Sequence, residues 1–207
     1  VIYQKIDQVM LGNMIDKTAV GYYSVAGKFT EICLFIPTIL SQTITPILVK
    51  AYHENIDDYQ RKAKSFMNIT IWGTIVICIG ICLISNPLIK YTFGTEYTAA
   101  TILLQIMIFK TIGYASAQIT GALIVIEEKQ KYVVIRNIIG CLVCIGLNLL
   151  LIPQYGVVGA AIASVITAIS TGYFSHLLIP SYRSYFYTQT YSFLYGWIYL
   201  IQKAFQS

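Results

Sequence analysis

Charged residues are scarce in this sequence, and long polar segments are scarcer still. Of the 207 residues, 11% are charged and 57% are hydrophobic, whereas soluble domains carry roughly 25% charged and about 45–50% apolar residues. A soluble core of this size could not bury so much apolar surface, so the composition favours a membrane protein. The mean hydropathy of +0.67 indicates the same class.

Motifs of catalysis and cofactor binding are also missing. The chain has two histidines, His53 and His176, and no GxxxxGK phosphate-binding loop, so nothing predicts an ATP-driven pump. The spacing of Cys141 and Cys144 has no second cysteine pair beside it, which favours helix packing over metal binding. The sequence therefore predicts no enzyme, no cofactor, no metal site and no disulfide.

Apolar runs of membrane-spanning length are abundant. A spanning helix needs about 20 mostly apolar residues. The runs that meet this length are Val20–Leu48, Ile69–Ile89, Ala99–Ile126, Tyr132–Ile152 and Val157–Ile179. The segment Val1–Met14 is shorter and polar at its start, and we interpret it as the end of a truncated helix in a fragment. The sequence thus predicts an all-α integral membrane bundle with five complete spans and one partial span.

The segments between the runs are short and polar. A Pro-Gln-Tyr-Gly segment at residues 153–156 predicts a tight reversal, because proline cannot continue a helix and glycine tolerates unusual backbone angles. A Phe-Gly-Thr segment at residues 93–95 is a second turn signal, and the polar residues 49–65 are predicted to form a loop. Residues 181–207 are rich in tyrosine and include Trp197, which favours a cytoplasmic or interfacial tail.

The distribution of lysine and arginine predicts the orientation in the membrane. Four of these residues lie in residues 49–65, three in 127–136 and two in 181–207, against Lys17 and Lys90 in the intervening connections. Cytoplasmic loops are enriched in lysine and arginine, so the first three segments are predicted to be cytoplasmic. Since these residues sit mostly between apolar runs, no nucleic-acid partner is predicted.

Polar residues recur along one face of the second segment. Spacings of three, four and seven residues place them on one side of a helix; they are Ser24, Lys28, Glu31, Thr38, Gln42 and Thr45. Charges inside a span are costly and often mark a path for substrate or ions. The stripe predicts a wall of a water-filled cavity, and a structural Lys28–Glu31 pair that locks helices together is the alternative.

A single lysine, Lys110, lies near the middle of the third long run. Tyr114 and Gln118 continue its helix face four and eight residues later. This position predicts a cavity-lining residue, or else a structural partner for Glu31 or Asp7.

A series of short motifs resembles the second half of the O-antigen and capsule flippases, in the multidrug/oligosaccharidyl-lipid/polysaccharide (MATE-like) transporter superfamily. The motifs are IDQVMLG at residues 6–12, AVGYYSVAGK at 19–28, SQTITP at 41–46, NPLI at 86–89, FGTEY at 93–97 and IPQYGVVGAAIA at 152–163. The resemblance implies that residues 1–180 are helices seven to twelve of a twelve-helix transporter, the first one truncated. Residues 181–207 would be its tail.

The resemblance also implies a function. Such flippases move sugar repeat units linked to undecaprenyl pyrophosphate across the bacterial cytoplasmic membrane, by alternating access with ion coupling. They supply O-antigen, capsule or exopolysaccharide synthesis, alongside a polysaccharide polymerase and a chain-length regulator. The first lobe of the transporter, which this chain lacks, and the membrane lipid would be its partners.

The intramembrane polar residues suit a substrate of this kind. A pyrophosphate is negatively charged and its sugars offer hydroxyls, so lysines among hydroxyl and amide groups could replace lost hydration. The expected substrate-binding residues are Lys28, Lys110, Gln42, Thr38, Tyr114 and Gln118. The expected ion-coupling residues are Glu31 and Asp7.

Three rival functions stay open. An ion-coupled drug antiporter of the same superfamily would favour acidic cavity residues, whereas the deep charges here lean basic. A peptidoglycan-lipid flippase would carry more cavity arginines, and only Arg136 lies near a span. A membrane-embedded polysaccharide polymerase would display long external loops, and the longest polar segment here is predicted to be cytoplasmic.

Overall fold

The computed structural model describes residues 6–204, which form helices joined by short turns. The α-helices are α1 (Ile6–Met14), α2 (Lys17–Glu54), α3 (Ile56–Phe93), α4 (Ala100–Met107), α5 (Lys110–Ile126), α6 (Val133–Ile169), α7 (Ser175–Leu178) and α8 (Arg183–Ala204). A π-helical turn at residues 170–174 separates α6 from α7. No strand occurs in the described range, so the predicted all-α class is confirmed.

Within the described range, four helical stretches are long and apolar enough to cross a membrane. They are Lys17–Glu54, Ile56–Phe93, Ala100–Ile126 and Gln130–Leu178. The last of them has 49 residues, which is more than twice the length that one crossing needs. It therefore has to contain a reversal.

That reversal lies at Gly156, whose φ of 59° and ψ of −135° are not helical. A Cβ placed on Gly140 would lie 2.6 Å from the Thr171 hydroxyl, although a straight helix would separate these residues by about 46 Å. Closer to the turn, Gly159 packs directly against the backbone of Leu151. Residues 133–152 and 157–169 are therefore two antiparallel arms, as the Pro-Gln-Tyr-Gly segment predicted.

The polar residues 49–65 are helical, so the prediction of a loop was wrong. Helix α2 continues to Glu54, and Asn55 alone is extended, with a φ of −155°. The Asn55 side chain then accepts hydrogen bonds from the backbone N–H groups of Asp57 and Asp58, which starts α3. Hydropathy reports contact with lipid rather than the end of a helix, which explains the error.

The tyrosine-rich segment after residue 182 is a packed helix rather than a loose tail. Helix α8 lies along α3, where the Trp72 indole N–H donates to the Ser192 carbonyl at 3.0 Å. A Cβ on Gly196 would come within 2.9 Å of the Asn68 and Trp72 side chains, so the helices touch there. Residues 205–207 of the expected tail lie outside the described residues.

The apolar run at residues 99–126 is divided by a tight turn. The N–H of Thr111 donates to the Ile108 carbonyl at 3.1 Å, and that of Ile112 to the Phe109 carbonyl at 3.2 Å. These three-residue hydrogen bonds tighten the chain between α4 and α5. As a result, Lys110 is the first residue of α5.

Glu127, which follows α5, joins three parts of the bundle. Its carboxylate accepts hydrogen bonds from Tyr59 of α3 at 2.8 Å and from Tyr185 of α8 at 2.7 Å, and it pairs with Lys129 at 2.6 Å. Burial raises the pKa of Glu127, but the hydrogen bonds from Lys129, Tyr185 and Tyr59 outweigh it and hold the pKa below its ordinary value. The ionised carboxylate therefore stabilises the folded chain.

We expect Glu127→Gln to lower the free energy of unfolding by about 1–3 kcal/mol at neutral pH, since charged hydrogen bonds are lost. Because folding depresses the pKa of Glu127, its contribution is complete above the unfolded-state pKa of about 4.3 and is lost as the pH falls through the folded-state pKa. Thermal unfolding in detergent from neutral to acidic pH should therefore show the two proteins converging. Glu96→Gln, at an exposed position, is the control; a constant difference at all pH values would contradict the assignment.

Helix α5 packs against the end of α6 at a glycine contact. A Cβ on Gly113 would lie 2.5 Å from the backbone of Ala168, and Gly172 in the π-helical turn faces the Gly113 carbonyl as closely. Gly121, two turns further along α5, has no atom within 4 Å of an added Cβ. The two glycines of one helix therefore differ only in what surrounds them.

We expect Gly113→Ala to destabilise the bundle by about 1–3 kcal/mol, because a methyl group has no space there. Gly121→Ala should be neutral or stabilising by up to about 1 kcal/mol, through its better helix propensity. Thermal unfolding of the two purified variants in the same detergent compares them. Similar melting temperatures would show that the helices are not in tight contact at Gly113.

Candidate functional site

The polar stripe of α2 is partly open and partly covered by neighbouring helices. Lys28, Glu31 and Gln42 are exposed, whereas the Ser24 hydroxyl accepts a hydrogen bond from the Gln8 amide of α1 at 3.3 Å. Thr38 and Thr45 are half-buried. The exposed part of the predicted stripe therefore forms an open surface of this bundle.

Helix α5 brings a second polar face beside the first. The Gln118 side-chain amide donates to the Thr38 hydroxyl at 3.3 Å, and that hydroxyl donates to the Leu34 carbonyl at 2.8 Å. A hydroxyl has one proton to donate and two lone pairs to accept with, so both bonds form together. The structure thus places the predicted residues of α2 and α5 side by side.

Two contacts fix the register of α2 against the α4–α5 segment. Thr38 meets Gln118, and a Cβ on Gly27 would lie 3.9 Å from the Met107 methyl. Both pairs are 80 residues apart, so the two segments run in the same direction at a constant offset. We call the surface that they share the α2–α5 face; it is formed by Lys28, Glu31, Thr38, Gln42, Lys110, Tyr114 and Gln118.

The register separates the charged residues of the α2–α5 face from its neutral polar residues. Lys110 lies level with residue 30 of α2 and so close to the level of Lys28 and Glu31. The amide of Gln118 lies eight residues further along α5, which is about 12 Å. One end of the face therefore carries the charges, and the other carries hydroxyl and amide groups.

A separate polar cluster lies inside the bundle around Asp7, which is 4% exposed. The Tyr23 hydroxyl donates to one carboxylate oxygen of Asp7 at 2.7 Å. The Cys144 thiol and the Asn148 amide donate to the other oxygen at 3.1 and 3.2 Å. Three donors from α2 and from the first arm of α6 thus surround a carboxylate of α1.

The Asp7 cluster also holds an unused acceptor. The side-chain oxygen of Asn148 is buried and has no hydrogen-bond partner in the described part of the chain. Hard cations prefer oxygen ligands such as a carboxylate and an amide oxygen. The amide oxygen can also accept a hydrogen bond from a carboxyl group that has taken up a proton. The cluster is therefore chemically suited to hold a small cation or a proton.

The structure separates the two residues predicted for ion coupling. Glu31 lies on the open α2–α5 face, whereas Asp7 lies in the core. Asp7 accepts hydrogen bonds from Tyr23, Cys144 and Asn148. The alternative in which Lys110 is a structural partner of Glu31 or Asp7 stays a prediction.

Sequence reasoning did not assign the partners of Asp7. We read the spacing of Cys141 and Cys144 as helix packing, although Asn148 follows Cys144 by four residues on the same face of an apolar span. The useful signal was an asparagine in the middle of that span, since buried polar groups need partners. Tyr23 gave no signal, because a tyrosine in a membrane helix is common.

Comparison with known proteins relates the chain to proteins of polysaccharide and glycan biosynthesis. Residues 1–102 match the family described as polysaccharide biosynthesis protein. A probable low-salt glycan biosynthesis flippase of Haloferax volcanii is 25% identical over 85% of this chain and 38% of its own length. A probable flippase of the same organism is 22% identical over 80% of the chain and 35% of its own length. A capsular polysaccharide biosynthesis protein of Staphylococcus aureus is 26% identical, over 78% of the chain and 41% of its own length.

The long apolar helices and the flippase-named relatives indicate a multi-pass membrane protein. The resemblance to polysaccharide flippases that the motifs predicted is confirmed. The chain spans about two fifths of the length of the curated relatives that it matches.

Proposed function

We propose that this chain is one lobe of a flippase that moves lipid-linked oligosaccharides across the bacterial cytoplasmic membrane for surface polysaccharide synthesis. The α2–α5 face carries the proposal, since it places charges, hydroxyls and amides together on helices of membrane-spanning length. Lipid would not tolerate such a face, whereas a path for a sugar chain requires one. The relatives named flippases and capsular polysaccharide biosynthesis protein support this reading.

The arrangement of the α2–α5 face suits undecaprenyl-pyrophosphate-linked sugars. Lys28 and Lys110 lie near one level and would attract the pyrophosphate. Thr38 and Gln118 lie about 12 Å away, where they would bind sugar hydroxyls together with Gln42 and Tyr114. A mixture of a few cations and many neutral hydrogen-bonding groups can replace the hydration that such a ligand loses.

The α2–α5 face would be one wall of the path. In this proposal, a first lobe of six helices supplies the opposite wall, and the present chain provides helices seven to twelve of a MATE-like transporter. Alternating access follows when the two lobes open first to one side of the membrane and then to the other. A polymerase and a chain-length regulator would receive the exported repeat units.

We expect Lys28→Ala and Lys110→Ala, made in the full-length protein, each to reduce the surface polysaccharide. A lost hydrogen bond to a charged group costs about 1.5–3 kcal/mol, which corresponds to about 10- to 100-fold in transport. Polysaccharide on cells and lipid-linked repeat units retained in the membrane would both be measured, with protein levels checked by immunoblot.

Lys17→Ala is the matched control, because Lys17 begins the same helix but lies outside the α2–α5 face. Wild-type polysaccharide in both Lys28→Ala and Lys110→Ala would refute an anion-binding face. Loss with all three variants would indicate a general effect on the fold rather than on substrate binding.

We further propose that Asp7 takes up the coupling ion, a proton or sodium. A buried charge without compensation is costly, so filling or emptying this site changes how well α1, α2 and α6 pack together. The Asn148 oxygen offers a second ligand beside the carboxylate. Glu31, on the α2–α5 face, is the other candidate for this role.

We expect Asp7→Asn to remove the response of transport to an imposed proton or sodium gradient, because the amide keeps the shape but not the charge. Transport would be measured in proteoliposomes with full-length protein. Asp16→Asn is the control: Asp16 caps α2 by accepting from the Ala19 N–H at 2.7 Å, and asparagine caps a helix equally well. An unchanged gradient response in Asp7→Asn would reject this site, and Glu31→Gln would then test the other candidate.

A further inference from the structure

A groove between α3 and α8 has a chemistry that the proposed transport does not use. Two cavities, of about 510 and 440 Å³, lie along these helices and share Lys64 in their walls. The smaller one, which we call the α3–α8 groove, is lined by Arg61, Lys64, Asn68, Tyr191, Tyr195 and Ile198, among others. None of the residues that line this groove belongs to the α2–α5 face.

Helices α3 and α8 run in the same direction along this groove. Glu127 joins Tyr59 to Tyr185 near the start of both helices, and Trp72 meets Ser192 further along. The basic residues come first on α3, and Asn68 follows Arg61 by seven residues, or about 10 Å. The groove therefore changes from charged to apolar along its length, with Ile198 at its apolar end.

The charged end of the groove is positive. Arg61 and Lys62 share one carboxylate, Asp58, at 2.7 and 2.6 Å. Lys64 is exposed and forms no ion pair with the described residues. Among the residues described as lining the groove there is no carboxylate. Its charge therefore complements an anion.

The groove also has an apolar portion. Ile198 lines it beyond the basic residues, beside the exposed side chains of Tyr191 and Tyr195. A ligand that fits the groove thus combines a negative charge with an apolar portion.

We infer that the α3–α8 groove binds an anionic phospholipid from the cytoplasmic leaflet. Arg61 and Lys64 face its phosphate group, and an acyl chain passes Ile198. The basic residues lie on the side that the lysine and arginine distribution predicts to be cytoplasmic, where anionic lipid headgroups attract them. Exposed tyrosines such as Tyr191 and Tyr195 favour the same headgroup level.

The test is lipid binding to the purified chain in neutral detergent, followed by native mass spectrometry. Lys64→Gln should weaken phosphatidylglycerol binding about fivefold and leave phosphatidylcholine binding unchanged. Lys50→Gln removes the same charge outside the groove, from a residue that is 75% exposed and paired with Glu54; it should bind phosphatidylglycerol as the parent does. Equal loss with both variants, or no preference over phosphatidylcholine, would overturn the site.

Thermal unfolding without lipid checks that Lys64→Gln keeps the fold, as its exposed position predicts.

Discussion

Backbone hydrogen bonding limits what this chain can do inside lipid, where no water replaces a lost partner. The constraint explains why α2 and α3 have 38 residues each and are interrupted by a single extended residue, Asn55. It also explains why the hairpin of α6 turns at Gly156, where one positive φ reverses the chain with few unpaired groups. Long helices with abrupt turns leave side chains, rather than loops, to form any path through the membrane.

Polar side chains meet this constraint in two different ways. Asp7 is enclosed and receives three hydrogen bonds, so its charge is stabilised without contact with solvent. The α2–α5 face remains open, and its groups bond locally, as Thr38 does with Leu34. An enclosed carboxylate and an open face with two lysines are suited to different ligands, which is why we propose separate places for the ion and the oligosaccharide.

Hydropathy predicted the apolar runs, the Pro-Gln-Tyr-Gly segment predicted the reversal near residue 156, and periodicity predicted the stripes of α2 and α5, because each of these depends on residues close together in the sequence. These signals failed where helices meet. Hydropathy could not show that residues 49–65 stay helical, or that Gly196 lets α8 approach Trp72. The Asp7–Asn148 contact joins residues 141 positions apart, so it depends on how two helices are rotated, which a single sequence does not encode.

The glycine contact between α5 and the end of α6 affects how the bundle can move. Gly113 and Gly172 meet backbone to backbone, with no room for a methyl group between them. Such an interface resists both sliding and rolling, since either motion drives main-chain atoms into each other. The contact thereby fixes α5 against the end of α6, so in the proposed alternating-access cycle these two helices would tilt together.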